Sequence, residues 1–208
     1  CRKYKNKLHI THIATSSDLE KIMDAKLLKL NITCDVTPHH LFLTEKDLPY
    51  LDGFGVVKPS LASQSDADFL WDNLKYIDCI ATDHAPHTLE EKKSFDSPSG
   101  MPGLETMLPL LMTAVKQKRL VLADIIRLTN TNPQKIFGFK QDKETYVEID
   151  AYEEYEIKKE NLFTKCGWSS FQGRKVKGKV KNVFIRGTKV LSDGKLLVSP
   201  GFGQNILP

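Results

Sequence analysis

A chain of 208 residues, 40% hydrophobic and 27% charged, is long enough for one large domain or a domain and a half and too apolar to stay disordered. The net charge is only +4, and the densest basic run, Arg174-Lys175-Val176-Lys177-Gly178-Lys179-Val180-Lys181, alternates with Val and Gly like an exposed strand face and lacks interleaved aromatics, which argues against nucleic acid as a partner. No apolar stretch reaches about 18 residues and no cleavable signal is present, so neither a membrane nor secretion is expected. The four cysteines, Cys1, Cys34, Cys79 and Cys166, show no paired spacing and read as reduced, mostly buried thiols of a cytoplasmic protein. The opening, Cys1-Arg2-Lys3-Tyr4-Lys5, lacks an initiator Met and leads quickly into a strand, as in a piece of a longer protein.

Residues 8–14 alternate apolar and polar positions and predict a strand, with His12 near its end and Ser16-Ser17-Asp18 as the cap of a helix through Leu19, Ile22, Met23, Leu27 and Leu30. Residues 32–36 predict a second strand, ending in Thr37-Pro38-His39-His40-Leu41. Turn signals at Asp52-Gly53-Phe54-Gly55 lead past Lys58-Pro59 to a helix from Ser65, whose apolar residues include Phe69, Leu70 and Trp71. A third strand is expected over 77–82. Strand and helix alternate as in the βα units of a parallel sheet, so the fold class is α/β.

The third strand runs into Thr82-Asp83-His84-Ala85-Pro86-His87, where Pro86 prevents the strand from continuing. Asp83 therefore stands at a strand's carboxyl end, the edge where α/β folds gather ligands and metals. Taken alone, the stretch fits either a site or a strand-ending turn with a surface histidine beside it. His12 and Asp83 would meet at one rim of a parallel sheet, and imidazole plus carboxylate suits zinc, but a tetrahedral zinc site needs about three protein ligands and these are only two.

Residues 88–103 form a polar loop long enough to fold over a site. A strongly apolar helix begins at Gly103-Leu104-Glu105-Thr106, with Met107 and Met112 as packing residues, and further helices are expected over 122–129 and 132–138, the latter with Pro133 in its first turn and Gly138 at its end. From residue 145 the pattern changes to strands, at 146–150, 155–157, 180–185, 190–191 and 196–198, with Ser192-Asp193-Gly194-Lys195 as a hairpin turn.

His9-Ile10-Thr11-His12-Ile13-Ala14, Val36-Thr37-Pro38-His39-His40-Leu41, Ala81-Thr82-Asp83-His84-Ala85-Pro86-His87 with Glu90-Glu91-Lys92, and Pro102-Gly103-Leu104-Glu105-Thr106 together resemble dihydroorotase of the amidohydrolase superfamily, in order and in spacing. The resemblance is to the dihydroorotase domain of the fused pyrimidine-synthesis proteins of animals, and it extends through Ser199-Pro200-Gly201-Phe202-Gly203-Gln204. It implies the C-terminal part of a metal-dependent (β/α)8 barrel, strands 6–8, in residues 1–140, and a small composite β-sandwich module with a linker in residues 141–208. It implies zinc, two ions in the full-length protein, and the reversible cyclisation of N-carbamoyl-L-aspartate to L-dihydroorotate in pyrimidine synthesis.

By the same resemblance His12 and Asp83 are metal ligands, and Asp83 also carries the proton between the attacking water and the leaving nitrogen. Lys58, His87, Ser99, Gly100 and Gly103 line the substrate. Lys58 stands where animal relatives carry Arg, which removes a fork of donors, and Ser99 stands where they carry Pro. The resemblance gives His39 and His40 no ligand role, which leaves a structural hydrogen-bonding one, and alternation turns His9 and His84 away from the rim. The family's His-x-His, its bridging carbamylated lysine and its strand-5 histidine lie upstream of His12. The expected partners are thus the substrate, the N-terminal barrel half, fused pyrimidine-pathway domains and a second copy of the protein; the chain alone should be inactive. A non-catalytic dihydroorotase-like scaffold and another cyclic amidohydrolase, a hydantoinase or allantoinase, are the alternatives.

Overall fold

The computed structural model describes residues 1–206. It opens with strand β1 (Leu8–Ile10), helix α1 (Ser16–Leu27) and strand β2 (Ile32–Val36), the last with the bounds read from the sequence. β1 stops short of the expected residue 14 because the chain leaves extended geometry at His12, where φ is 42°. Ile13 and Ala14 turn into the core instead. The cap of α1 is Thr15, one residue before the expected segment: its hydroxyl accepts from Asp18 N and the Asp18 carboxylate accepts from Thr15 N, a reciprocal box that satisfies two otherwise orphaned donors.

β2 passes through Thr37 into α2 (Pro38–Phe42), where Pro38 occupies the first turn and gives up no helical hydrogen bond. A short α3 (Leu48–Leu51) and a turn through Gly53 and Gly55 follow. Helix α4 (Gln64–Asp72) is capped by Ser63, whose hydroxyl accepts from Asp66 N, two residues ahead of the expected Ser65 start. Strand β3 keeps only Cys79–Ile80 of the expected 77–82, although Ala81 N still donates to Val36 O at 3.1 Å.

The three strands are parallel in the order β1-β2-β3, with Leu8 opposite Ile32 and Val36 opposite Ile80. Their carboxyl ends therefore share one edge. Beneath it Leu19, Val36, Leu70, Ile77, Leu111 and Leu128 belong to one buried cluster, each contributing about 1.5–3 kcal/mol by leaving water.

Beyond β3 lie α5 (Leu89–Lys92), inside the expected loop, and α6 (Leu104–Lys116). Met112 is buried in the core and Met107 packs against it, as expected. α7 (Leu122–Ile126) and α8 (Asn132–Phe137) are joined by a π-helical turn, Arg127–Thr131, so the two expected helices are one stack. Arg127 Nη1 donates to Ile77 O and Asn132 Nδ2 to Asp78 O, which ties that turn and the start of α8 to the approach to β3. Gly138, at φ 76°, ends α8 in the left-handed conformation that glycine adopts without a steric cost.

The later strands β4 (Tyr146–Glu156), β5 (Lys175–Ile185), β6 (Thr188–Ser192) and β7 (Lys195–Leu196) form one antiparallel sheet in chain order. A sandwich needs two facing sheets, and the described residues after 140 supply one. β4 fuses the expected 146–150 and 155–157 strands across an irregularity between Asp150 and Glu154. The lysines of the basic run pair with acids on β4, Lys179 and Lys181 with Glu153 and Lys177 with Glu154, as an exposed strand face should.

A second buried cluster draws Leu43, Val57, Met101 and Leu110 together with Ile157, Trp168, Phe171 and Val176, so packing crosses residue 140. Both carboxylate oxygens of Glu105 accept main-chain N–H groups, from Phe163 at 2.7 Å and Thr164 at 2.9 Å, locking the loop after β4 to the start of α6. The last two residues of the 141–208 segment lie outside the described residues. No helix among those described is long and apolar enough to cross a membrane. All four cysteines are free; burial pushes the Cys34 and Cys79 thiols up to about 12, whereas Cys1 and Cys166 are half-buried.

Candidate active site

His12 follows β1 at the sheet's carboxyl edge and Asp83 follows β3 at the same edge. Both have left-handed backbones, φ 42° and 46°, which L residues seldom adopt. Conformations of this kind cost about 1–3 kcal/mol each and persist only where neighbours enforce them. For His12 the enforcing group is Asp35, buried on β2 at 4% exposure. Its Oδ1 accepts from His12 N at 2.7 Å, and its Oδ2 lies 2.9 Å from His9 Nε2. His9 Nδ1 in turn lies 2.8 Å from Thr33 Oγ1. His9 thus serves the rim indirectly, by bracing Asp35. Sequence reasoning passed over Asp35, although an acid inside the apolar strand 32–36 was a signal that it had a buried partner.

Asp83 is exposed and stands at the mouth of a knitted loop. His84 Nδ1 accepts from Gly103 N at 3.1 Å, so the imidazole braces the start of α6. Ala85 N donates to Met101 O, also at 3.1 Å. A Cβ at Gly103 would lie 3.0 Å from Thr82 O, and one at Gly100 only 2.4 Å from Ala85 O. The glycines at 100 and 103 therefore let the loop main chain close against the exit of β3.

Between His12 and Asp83 lies the His39-His40 pair on α2, both buried. His40 Nε2 donates to Pro59 O at 3.1 Å, so its Nδ1 accepts from the Thr37 hydroxyl at 2.8 Å. Burial holds the His40 pKa below its ordinary value; the Pro59 carbonyl raises it, His12 lowers it and Asp83 raises it. His39 is held down to about 3, first by burial and then by His40 and His12. The pair is therefore neutral near pH 7. His40 has the structural hydrogen-bonding role expected of it; His39 Nε2 is buried without a partner among the described residues.

The remaining sequence-nominated residues gather on the same side. Lys58 is exposed, next to the Pro59 that His40 holds. Gly100 N donates to Val56 O at 2.9 Å, bringing Ser99 and Gly100 beside the segment that carries Lys58. His87 Nδ1 lies 3.6 Å from Glu91 Oε2, and its carbonyl accepts from Trp168 Nε1 at 2.7 Å. A cavity of about 740 Å3 lies elsewhere, bordered by Glu105, Pro109, Tyr155 and Lys179 between α6 and the later sheet, and none of the nominated residues lines it.

The donors present match part of a zinc site. His12 Nδ1 is a buried nitrogen without a hydrogen-bond partner, and Asp83 offers an exposed carboxylate on the same rim. Among the described residues, no group of three His, Cys, Asp or Glu side chains is arranged to hold a metal ion. His12 and Asp83 fit as two donors, short of the about three protein ligands that a tetrahedral zinc site needs.

No family model matches the chain. It is 47% identical over 204 residues to the multifunctional protein CAD of Squalus acanthias, a match covering 98% of this chain and 9% of that protein. To the dihydroorotase of Pyrococcus furiosus it is 40% identical over 208 residues, covering 96% of this chain and 48% of that one. Among solved structures, the L-hydantoinase of Arthrobacter aurescens superposes with a TM-score of 0.95 at 26% identity, over 100% of this chain and 49% of that one. The inactive dihydroorotase-like domain of the CAD-like multifunctional protein of Chaetomium thermophilum superposes with a TM-score of 0.78 at 27% identity, over 95% of this chain and 55% of that one. The chain spans about half the length of the free-standing dihydroorotases it matches. Along nearly its whole length, then, the chain is dihydroorotase-like in sequence, on a mixed α/β fold shared with hydantoinases.

Proposed function

We propose that the chain is the C-terminal portion of a dihydroorotase, contributing strands 6–8 of a (β/α)8 barrel in residues 1–140 and part of a composite β-sandwich in residues 141–208. The full-length protein would be cytoplasmic, fused to other pyrimidine-pathway domains and self-associating, and would interconvert N-carbamoyl-L-aspartate and L-dihydroorotate. The observation that carries this reading is the pairing of His12 and Asp83 at one rim, each with a left-handed backbone, that of His12 held by the buried Asp35. Strain maintained at two strand exits on one edge fits a site better than two independent turns.

His12 and Asp83 would hold zinc together with donors from the upstream barrel half. When bound, zinc supplies a Lewis acid that polarises the substrate carbonyl and eases deprotonation of the attacking water. Asp83, exposed at the rim, takes that proton and delivers it to the ring nitrogen as the amide opens; in cyclisation it moves the proton the other way. Lys58 and His87 meet the substrate carboxylate as cationic and hydrogen-bonding groups, and the Ser99-Gly100 and Gly103 main chain closes the pocket from the loop side.

Ring opening of L-dihydroorotate by the full-length protein, measured with zinc present, tests this. Activity that falls at least about a hundredfold in Asp83→Asn, beside a silent isolated chain, is expected. A folded, zinc-loaded full-length protein without activity would instead favour a scaffold role, the reading encouraged by likeness to the inactive Chaetomium domain. Opening of hydantoin but not dihydroorotate would move the assignment to the hydantoinases, which share the fold.

A further inference from the structure

Lys92, the last residue of α5, is 1% exposed and is among the largest fully buried side chains of the molecule. Among the described residues it forms no ion pair. Its Nζ donates to three main-chain carbonyls, Pro98 O at 2.7 Å, Gly100 O at 3.0 Å and Val56 O at 3.3 Å, and lies 5.6 Å from the centre of the Trp168 ring. Burying an ammonium without a carboxylate is costly, and burial lowers the Lys92 pKa accordingly. Packing alone would be served by Met, so the charge needs a reason of its own.

The reason lies in what the three carbonyls belong to. Val56 is two residues before Lys58, and Pro98 and Gly100 flank Ser99. Val56 O also accepts Gly100 N, so the ammonium and an amide meet on one oxygen and clamp the two segments together. Trp168, whose ring lies near Nζ, holds His87 O through its indole N–H. A Cβ at Gly53 would lie 1.9 Å from Lys92 O, so the 53–58 segment passes in direct contact with the end of α5.

We infer that Lys92 is a positioning residue whose ammonium acts as an internal cation, fixing the 56–58 and 98–100 segments so that Lys58, Ser99 and Gly100 face the substrate together. For its substrate this rests on the dihydroorotase reading; for the fixed segments it rests on the geometry alone.

The test uses the full-length protein with Lys92→Met, which keeps the bulk and removes the charge. Amides of residues 94–101 should exchange with deuterium at least about tenfold faster than in the wild type, with β4 and β5 unchanged. Equal protection at 94–101 overturns the inference. For dihydroorotate, KM should rise at least about tenfold while kcat stays within about threefold, the split expected when a binding surface loosens and the reacting groups remain; an unchanged KM overturns it. A wild type that does not open dihydroorotate removes the functional reading only, and exchange at 94–101 still decides the role of Lys92. Should Lys92→Met not fold, Lys92→Ala is refolded with propylammonium or n-propanol. Recovery with propylammonium alone supports the charge-based role, whereas recovery with propanol, or with neither, overturns it.

Discussion

Asp35 shows how one buried side chain sets the geometry of another. Its carboxylate accepts the His12 main-chain N–H at 2.7 Å and faces His9 Nε2 at 2.9 Å, so it opposes the tendency of residue 12 to relax into extended structure. Asp35→Ala removes both acceptors at once and leaves a main-chain donor unpaired. A loss of about 2–4 kcal/mol is expected, since hydrogen bonds to charged groups contribute about 1.5–3 kcal/mol each and do not add fully. Urea unfolding of the full-length protein measures it, and a loss under about 0.5 kcal/mol, the size of an ordinary surface effect, would mean that Asp35 does not hold His12. His12 and Asp83 were legible in the sequence because both follow apolar runs and belong to dense motifs. Asp35 and Lys92 were not, because an acid and a lysine show nothing of their burial until the strands and loops that cover them are in place. Within Glu90-Glu91-Lys92, the lysine reads as part of an exposed charge run.

At the scale of elements, the βα alternation was legible and the strand limits were only partly so. β2 keeps its expected bounds because Cys34, Asp35 and Val36 are buried between its two neighbours. β1 and β3 are shorter than their apolar runs, since the chain must leave the sheet to place His12 and Asp83 in left-handed conformations. Apolar periodicity reports burial and is silent about where pairing stops. The π turn joining α7 and α8 was likewise invisible, because the contacts that hold it and the start of α8, Arg127 to Ile77 O and Asn132 to Asp78 O, come from about 50 residues away in the chain. Glycines separate two kinds of constraint. At Gly53 a Cβ would lie 1.9 Å from the Lys92 carbonyl, whereas at Gly194, φ 77°, nothing lies within 4 Å and only the backbone conformation resists substitution. Gly53→Ala should therefore destabilise by more than about 2 kcal/mol, as overpacking against main chain does, and Gly194→Ala by about 1 kcal/mol. Thermal melts of the two variants side by side check the order; equal losses would show that the 53–58 segment can retreat from α5.

For the whole molecule, the His39-His40 pair under the rim makes stability depend on pH in a window that other groups leave open. Burial, aided by His40 and His12, lowers the His39 pKa from 6.5 in the unfolded chain to about 3 in the folded one. Between these values the unfolded state binds the proton more readily, so acid favours unfolding. The contribution of His39 is complete above pH 6.5 and is lost as pH falls toward 3, at up to about 1.4 kcal/mol per pH unit. His40, also lowered, acts in the same direction. The carboxylates held below their ordinary range, Asp66, Glu91, Glu153 and Glu154, start from 3.8 to 4.5, so their stabilising contribution is complete above those values and is lost only as pH falls below them. From pH 6.5 to 4.5 the slope thus belongs to the histidines. Urea midpoints of the full-length protein at pH 7, 6 and 5 should fall steadily, and His39→Gln should flatten the fall while leaving the steeper loss below pH 4.5. A wild-type midpoint that stays constant from pH 7 to 5 would mean that His39 reaches solvent or a partner before it is protonated, and that the pair is not closed off as its burial implies.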